Sequence, residues 1–203
     1  MTATILILAK APVPGRVKTR LCPPCSPEEA ARIAAAALAD TLDAVRAIPG
    51  VRKVIAADGE LSAPEFEVIP QRGDGLGERI ANAFADIGDG PVFQIGMDTP
   101  QLRPEILQDS VDALRAGEAV LGPAYDGGWW GLGLHDADRA GVLRTVPMST
   151  SDTGELTAAA LRESGLQLRL LQRLRDVDTA DDARIVAREA AGSRFAGEVG
   201  ALL

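Results

Sequence analysis

The chain has 203 residues and a formal net charge of −8, with 29 acidic residues against 21 lysines and arginines. An acidic body of this kind excludes a general nucleic-acid or anionic-membrane binder. A hydrophobic share of 46% with 25% charged residues excludes a disordered or fibrous chain. The length suits one domain, residues 1–203, with a sizeable core.

Residues 4–9 are a continuous apolar run, short enough for a strand buried on both faces and too short to span a membrane. The run lacks the flanks of a signal peptide, so the expected location is the cytoplasm. The next residues carry loop chemistry, because Pro12, Pro14 and Gly15 continue neither a central strand nor a regular helix. The loop carries Lys10, Arg16, Lys18 and Arg20, and no acidic residue precedes Glu28. A purely basic loop after a buried strand suits a small anion such as a di- or triphosphate; a solvated basic loop is the alternative. Four cations with no acid among them also predict an empty loop that repels itself and moves. On that reading Lys18→Ala leaves the empty fold no less stable. Cys22 and Cys25 form a CxxC pair, read as two thiols in a reducing cytosol rather than a redox or zinc site.

Ser26 and Pro27 open a helix predicted over 27–47, with Glu28 and Glu29 in its first turn and Pro49-Gly50 at its end. Strands follow at 51–56 and 66–69, and this alternation calls for a mostly parallel sheet in a three-layer α/β/α domain. In 71–87, Gly73, Gly75 and Gly77 surround the start of a helix near Leu76. Such glycines bring backbone amides to a ligand or simply make a turn. The strand at 91–97 ends in Asp98-Thr99-Pro100. An acid at the carboxyl end of a central parallel strand lies where open sheets bind ligands, and its oxygens suit Mg²⁺ or Mn²⁺. The same aspartate could instead cap the helix predicted at 103–116.

A strand at 119–121 leads to the turn Asp126-Gly127-Gly128 and a strand at 129–134. Trp129, Trp130 and the only tyrosine, Tyr125, lie within six positions of a chain with 3% aromatics. One tryptophan is expected in the core and one against a sugar or base. The cluster Met148–Asp152 is read as the cap of a helix at 152–163, before a strand at 166–171. Asp176 and Asp178 alternate onto one side with Val177 buried opposite, and Asp181 and Asp182 begin the next helix. His135, the only histidine, reads as a surface residue, and the small-residue tail 192–203 as poorly ordered.

Five of these stretches carry a family resemblance that covers most of the chain. KAPVPGRVKTRL resembles the opening motif of the domain-of-unknown-function 2064 family, bacterial proteins assigned as nucleotide-diphospho-sugar transferases. QRGDGLGER, GMDTP, GPAYDGGWW and DVDTADD resemble its later motifs, with tryptophan where the family usually has tyrosine. The resemblance implies a glycosyltransferase-A-like fold with a mixed, mostly parallel sheet. It implies that Lys10, Gly15, Arg16, Lys18 and Arg20 bind the donor phosphates, Lys18 with a catalytic part. Gly73, Asp74, Gly75, Gly77 and Arg79 would border the base, and Gly127, Gly128 and Trp129 the sugar or acceptor. Asp98 and Asp178 would hold Mg²⁺ or Mn²⁺, and Asp126 is the candidate base. The expected partners are a nucleotide-sugar or nucleoside triphosphate donor and a small acceptor, with a homodimer left open. Glycosyl transfer is the first expectation. A nucleotidyltransferase of the 2-phospho-lactate guanylyltransferase kind is the runner-up, and a silent nucleotide-binding module the third reading.

Overall fold

The apolar run near the N-terminus becomes strand β1, Ala3–Lys10, buried without a break from Ala3 to Ile7. Described in a computed structural model covering residues 2–203, it lies inside a seven-stranded sheet. β2 (Val51–Asp58) and β3 (Glu67–Pro70) extend the sheet in parallel on one side of β1, and β4 (Val92–Gly96) pairs in parallel on the other. Beyond β4 come β6 (Trp129–Leu134), β5 (Ala119–Pro123) and β7 (Leu168–Leu170). Only β6 runs antiparallel to its neighbours, as the hairpin partner of β5 must. The sheet is therefore mixed and mostly parallel.

Alternation along β1 divides the core into two layers. Ile5, Ile7 and Ala9 pack under α1 (Pro27–Arg46) and α3 (Pro104–Arg115). Leu6 and Leu8 pack on the opposite face, under α2 (Leu76–Ile87), a 3-10 segment at Ala137–Thr145 and α4 (Thr153–Glu163). The start of α1 follows its sequence closely. Ser26 Oγ accepts from Glu29 N, and the Glu29 carboxylate accepts from Ser26 N. No helix among the described residues is long and apolar enough to cross a membrane.

Two sequence expectations need correction. The Met148–Asp152 cluster does not cap α4 with a side chain: Asp152 holds the N-cap position without a side-chain bond. Thr153 Oγ1 instead accepts from Thr150 N and donates to Pro147 O, so the hydroxyls fold the loop on itself. The tail is not poorly ordered either. After α5 (Ala180–Glu189), residues Arg194–Leu202 form α6. Phe195 and Val199, one helical turn apart, are buried in a third cluster with Ile33, Ala37 and Val186. Small residues on α1 let the ring sit close, and Arg194 pairs with Asp40 at 3.3 Å. Cys25 belongs to the same cluster, where burial first and Glu29 second push its thiol pKa up. Both cysteines are packing residues here.

Ser193 accepts from Ala196 N and caps α6. Ser193→Ala is expected to cost about 1 kcal/mol, a fall of roughly 2–4 °C in Tm for a domain of this size. Calorimetry that finds the midpoint unmoved would show that α6 docks without its cap.

Candidate active site

The chain lays β2 and β3 on one side of β1, then returns through α2 to place β4 on the other. Strand order therefore reverses between β1 and β4, and a crevice opens above their carboxyl ends. Lys10 ends β1 and Asp98 follows β4. A cleft of about 550 Å³ lies there.

Three aspartates and one lysine meet in it. Val177 N donates to Asp98 O at 3.0 Å, which ties the segment after β7 to the end of β4. That tie brings Asp176 and Asp178 beside Asp98. Lys18 reaches the same place from the basic loop through a left-handed backbone, φ 49°. Its ammonium lies 2.9 Å from Asp98 Oδ2 and 3.6 Å from Asp178 Oδ1, and it also donates to Val177 O. The Lys18 side chain is only 8% exposed. Arg20 adds a bond to Asp178 Oδ2 at 3.0 Å.

Asp176 is the misfit of this group. Its Oδ1 is buried without a hydrogen-bond partner. Burial above all, then the charges of Asp98, Asp126 and Asp178, pushes its pKa up to about 8 against the pull of Lys18. In the empty protein the native state therefore holds a proton that the unfolded chain releases near pH 4. The stability this proton brings is complete below pH 4 and lost as pH rises through about 8. In the presence of a chelator, Tm is expected to fall from pH 5 to pH 9. Asp176→Asn, neutral throughout, is expected to flatten that slope. Parallel pH profiles for the two proteins would show that Asp176 ionises normally.

The basic loop differs from its sequence reading. Its cations are not left to repel one another, because acids distant in sequence reach them. Lys10 pairs with Asp58 at 3.6 Å, and Lys18 and Arg20 pair with the aspartates above. Among the described residues only Arg16 of the four lacks an ion pair, and it lines the cleft. The expected self-repulsion is offset, and Lys18→Ala no longer leaves stability untouched.

Asp126, Gly128 and Trp129 line the cleft from the β5–β6 turn. Asp126 Oδ1 accepts from Gly128 N at 2.8 Å, which fixes the carboxylate. Trp130 is the core tryptophan, 3% exposed and edge-on to Phe93. Trp129 Nε1 donates to Thr157 Oγ1. Arg79 lines the cleft, donating to Gly73 O and pairing with Asp58 at 3.4 Å.

Gly15, Gly73, Asp74, Gly75, Gly77 and Gly127 lie off the cleft wall. Gly77 is needed for packing: a Cβ there would meet Leu143 O at 2.4 Å, closing α2 off from the 3-10 segment. Gly127, at φ 90°, would meet Ser151 O at 1.9 Å. It holds the β5–β6 turn against the start of α4, where Gly154 N donates to its carbonyl. Asp74 N is bound by the Glu78 carboxylate, so this turn is closed by its own helix. The residues of α2 that border the cleft are Leu76, Arg79 and Ile80. Several lining residues escaped the sequence reading. Asp58 did because its strand runs two residues past the apolar run, and Gln94 because it sits inside an apolar strand. Ser149 carried no signal beyond its loop.

The fold is glycosyltransferase-A-like, and a basic loop after β1 faces an acid-tipped β4 across a switch-point cleft. The chain belongs to the family described as "Uncharacterized protein conserved in bacteria (DUF2064)", whose model matches residues 32–150. A phosphoenolpyruvate guanylyltransferase of Nocardia farcinica (strain IFM 10152) is 28% identical over 193 residues, 88% of this chain and 83% of that protein. A protein of Desulfovibrio desulfuricans G20, provisionally assigned as a nucleotide-diphospho-sugar transferase, superposes with TM-score 0.89 at 25% identity, over 98% of this chain and 94% of that one. Rv0371c of Mycobacterium tuberculosis H37Rv, solved with manganese, shares the fold at TM-score 0.58 and 18% identity, over 92% of this chain and 98% of that one.

Proposed function

We propose that the protein transfers a group from an activated nucleotide to a small acceptor with the help of a divalent metal, and that the group is a sugar carried by a nucleoside diphosphate. One observation supports this above the rest: a lysine ammonium, a free arginine and three aspartates converge in one cleft at the topological switch point. Cations for phosphates and carboxylates for a metal are the two halves of a nucleotide–metal site.

The donor set fits Mg²⁺ or Mn²⁺. No three acidic, histidine or cysteine side chains among the described residues are grouped so as to hold a metal ion as a cage of their own. Such a cage is not required, since these ions bind through one or two carboxylates completed by phosphate oxygens and water. Asp98 and Asp178 already flank a cation, the Lys18 ammonium, and Asp176 adds a buried oxygen without a partner. When bound, the metal neutralises charge on the departing diphosphate.

The chain's own residues do the rest. Lys10, Arg16, Lys18 and Arg20 hold the phosphates, while Arg79 borders the nucleoside. Asp126, fixed by Gly128 N, accepts the proton of the acceptor hydroxyl. The hydroxyl oxygen bonds to the anomeric carbon, and the bond from that carbon to the diphosphate oxygen breaks with its electron pair.

The guanylyltransferase relative supports a second reading, in which the donor is a nucleoside triphosphate and pyrophosphate leaves. The two readings separate by product. Glycosyl transfer predicts slow, Mn²⁺-dependent release of nucleoside diphosphate from a nucleotide sugar even without acceptor, as water substitutes for it. Ligand at about 100 times its Kd should also add roughly 2.7 kcal/mol in a thermal-shift panel. Pyrophosphate release from a triphosphate, with no diphosphate release from any nucleotide sugar, would overturn the first reading in favour of the second.

A further inference from the structure

The cations of the cleft stand with the basic loop and with Asp58, the last residue of β2. Its lining also includes six uncharged residues, Leu76, Ile80, Gln94, Trp129, Met148 and Ser149. Arg79, the cation on α2 between Leu76 and Ile80, is engaged by Gly73 O and Asp58. Met148 rests on the first turn of α2, 3.1 Å from where a Gly77 Cβ would stand, and Trp129 is pinned by its bond to Thr157. Both side chains are therefore held in place by packing.

Two polar groups among these six have no structural employment. Gln94 is 3% exposed, between Leu6 of β1 and Leu132 of β6, and its Oε1 has no hydrogen-bond partner. An amide among leucines is costly unless something bonds it. A terminal amide can turn either its carbonyl or its NH₂ toward the cleft. Ser149 is exposed and held at φ 61°, one of three non-glycine residues with a left-handed backbone among those described. Another is Lys18, also on the cleft wall. Strained backbones gather where a site needs a side chain aimed.

We propose that these uncharged residues form the acceptor subsite, which takes a neutral, polyhydroxylated ring bonded by Gln94 and Ser149 and packed against Trp129. The inference rests on the glycosyl-transfer reading. It gives that reading an acceptor class: an apolar and amide-lined bay suits the C–H and O–H faces of an uncharged sugar. The cations of the cleft are paired with acids or, like Arg16, committed to the donor phosphates, which leaves a trianion such as phosphoenolpyruvate without one of its own.

Saturation-transfer NMR on the intact protein tests this, using glucose, mannose and galactose as neutral probes and phosphoenolpyruvate as the anionic one. Each is measured alone and with GDP or UDP plus Mn²⁺. With GDP or UDP and Mn²⁺ occupying the cationic loop, transfer to at least one sugar and none to phosphoenolpyruvate is expected. Gln94→Leu is expected to weaken the sugar at least tenfold while leaving nucleoside diphosphate affinity within twofold. The same substitution is expected to raise Tm by roughly 2–4 °C, because it removes a buried carbonyl without a partner. A merely structural glutamine would lower it. Ser149→Ala gives a second, milder loss of sugar binding. No transfer to any sugar, transfer to phosphoenolpyruvate alone, or unchanged sugar binding in Gln94→Leu would each overturn the proposal. Failure of GDP and UDP to bind while the sugar still does would instead count against the donor reading and leave the subsite standing.

Discussion

Asp98→Asn is expected to remove Mn²⁺-dependent nucleotide binding and to lower transfer by at least about 10³-fold, the effect of losing several kcal/mol of metal-borne charge stabilisation. The fold is expected to survive. The substituted amide would keep a carbonyl oxygen where Asp98 Oδ2 now meets the Lys18 ammonium at 2.9 Å, and Lys18 would retain Val177 O and the nearby Asp178. Removing one carboxylate also lightens the like-charge burden on Asp176, whose raised pKa owes its largest share to burial and the next to Asp98. Isothermal calorimetry with nucleotide sugars and Mn²⁺, beside circular dichroism, is the check. A folded variant that binds nucleotide with the same Mn²⁺ dependence would remove Asp98 from the metal site.

Lys18→Ala is expected to damage both stability and donor binding, and the structure reverses the sign that the isolated loop suggests. Taken alone, the loop is a set of repelling cations. In the fold, the Lys18 ammonium is the positive centre of three aspartates and is nearly buried. Deleting it leaves Asp98 and Asp178 facing each other and Val177 O without its donor. Both carboxylates keep contact with solvent, each side chain being 39% exposed, so the loss falls below that of a fully buried pair. About 1.5–3 kcal/mol is expected, the range for bonds to charged groups. A similar loss of donor affinity is expected from the missing phosphate contact. The double variant Lys18→Ala, Asp98→Asn should recover part of the stability and none of the binding. Lys18→Ala with wild-type stability, or the double variant no more stable than Lys18→Ala alone, would show that the ion cluster contributes nothing to the fold.

Much of the architecture was legible along the chain because it is local. The run 4–9, buried on both faces, could only be an interior strand, and Ser26 with Glu29 could only open a helix. The helix expected to start near Leu76 is Leu76–Ile87, since an apolar face at helical spacing needs no partner to be recognised. The chemistry was partly legible for the same reason: an acid after a buried strand and a glycine-punctuated basic loop are statements about a few consecutive residues. The tail was not, because nothing in residues 192–203 announces that α1 offers a small-residue surface on which Phe195 can be buried.

The sequence by itself determined the alternation of the main strands and helices as far as α5, the three-layer class and which residues carry charge near the expected ends of strands. Only the tertiary structure decided which charges meet. Lys18 and Asp178 stand near opposite ends of the chain, and their pairing depends on the strand order that sets β4 beside β1 and on the bond from Val177 N to Asp98 O. The same closure lifts the pKa of Asp176, and the packing of β4 between β1 and β6 leaves Gln94 Oε1 without a partner. Desolvation and charge coupling act through space over a few ångströms, and separation along the chain says nothing about that distance.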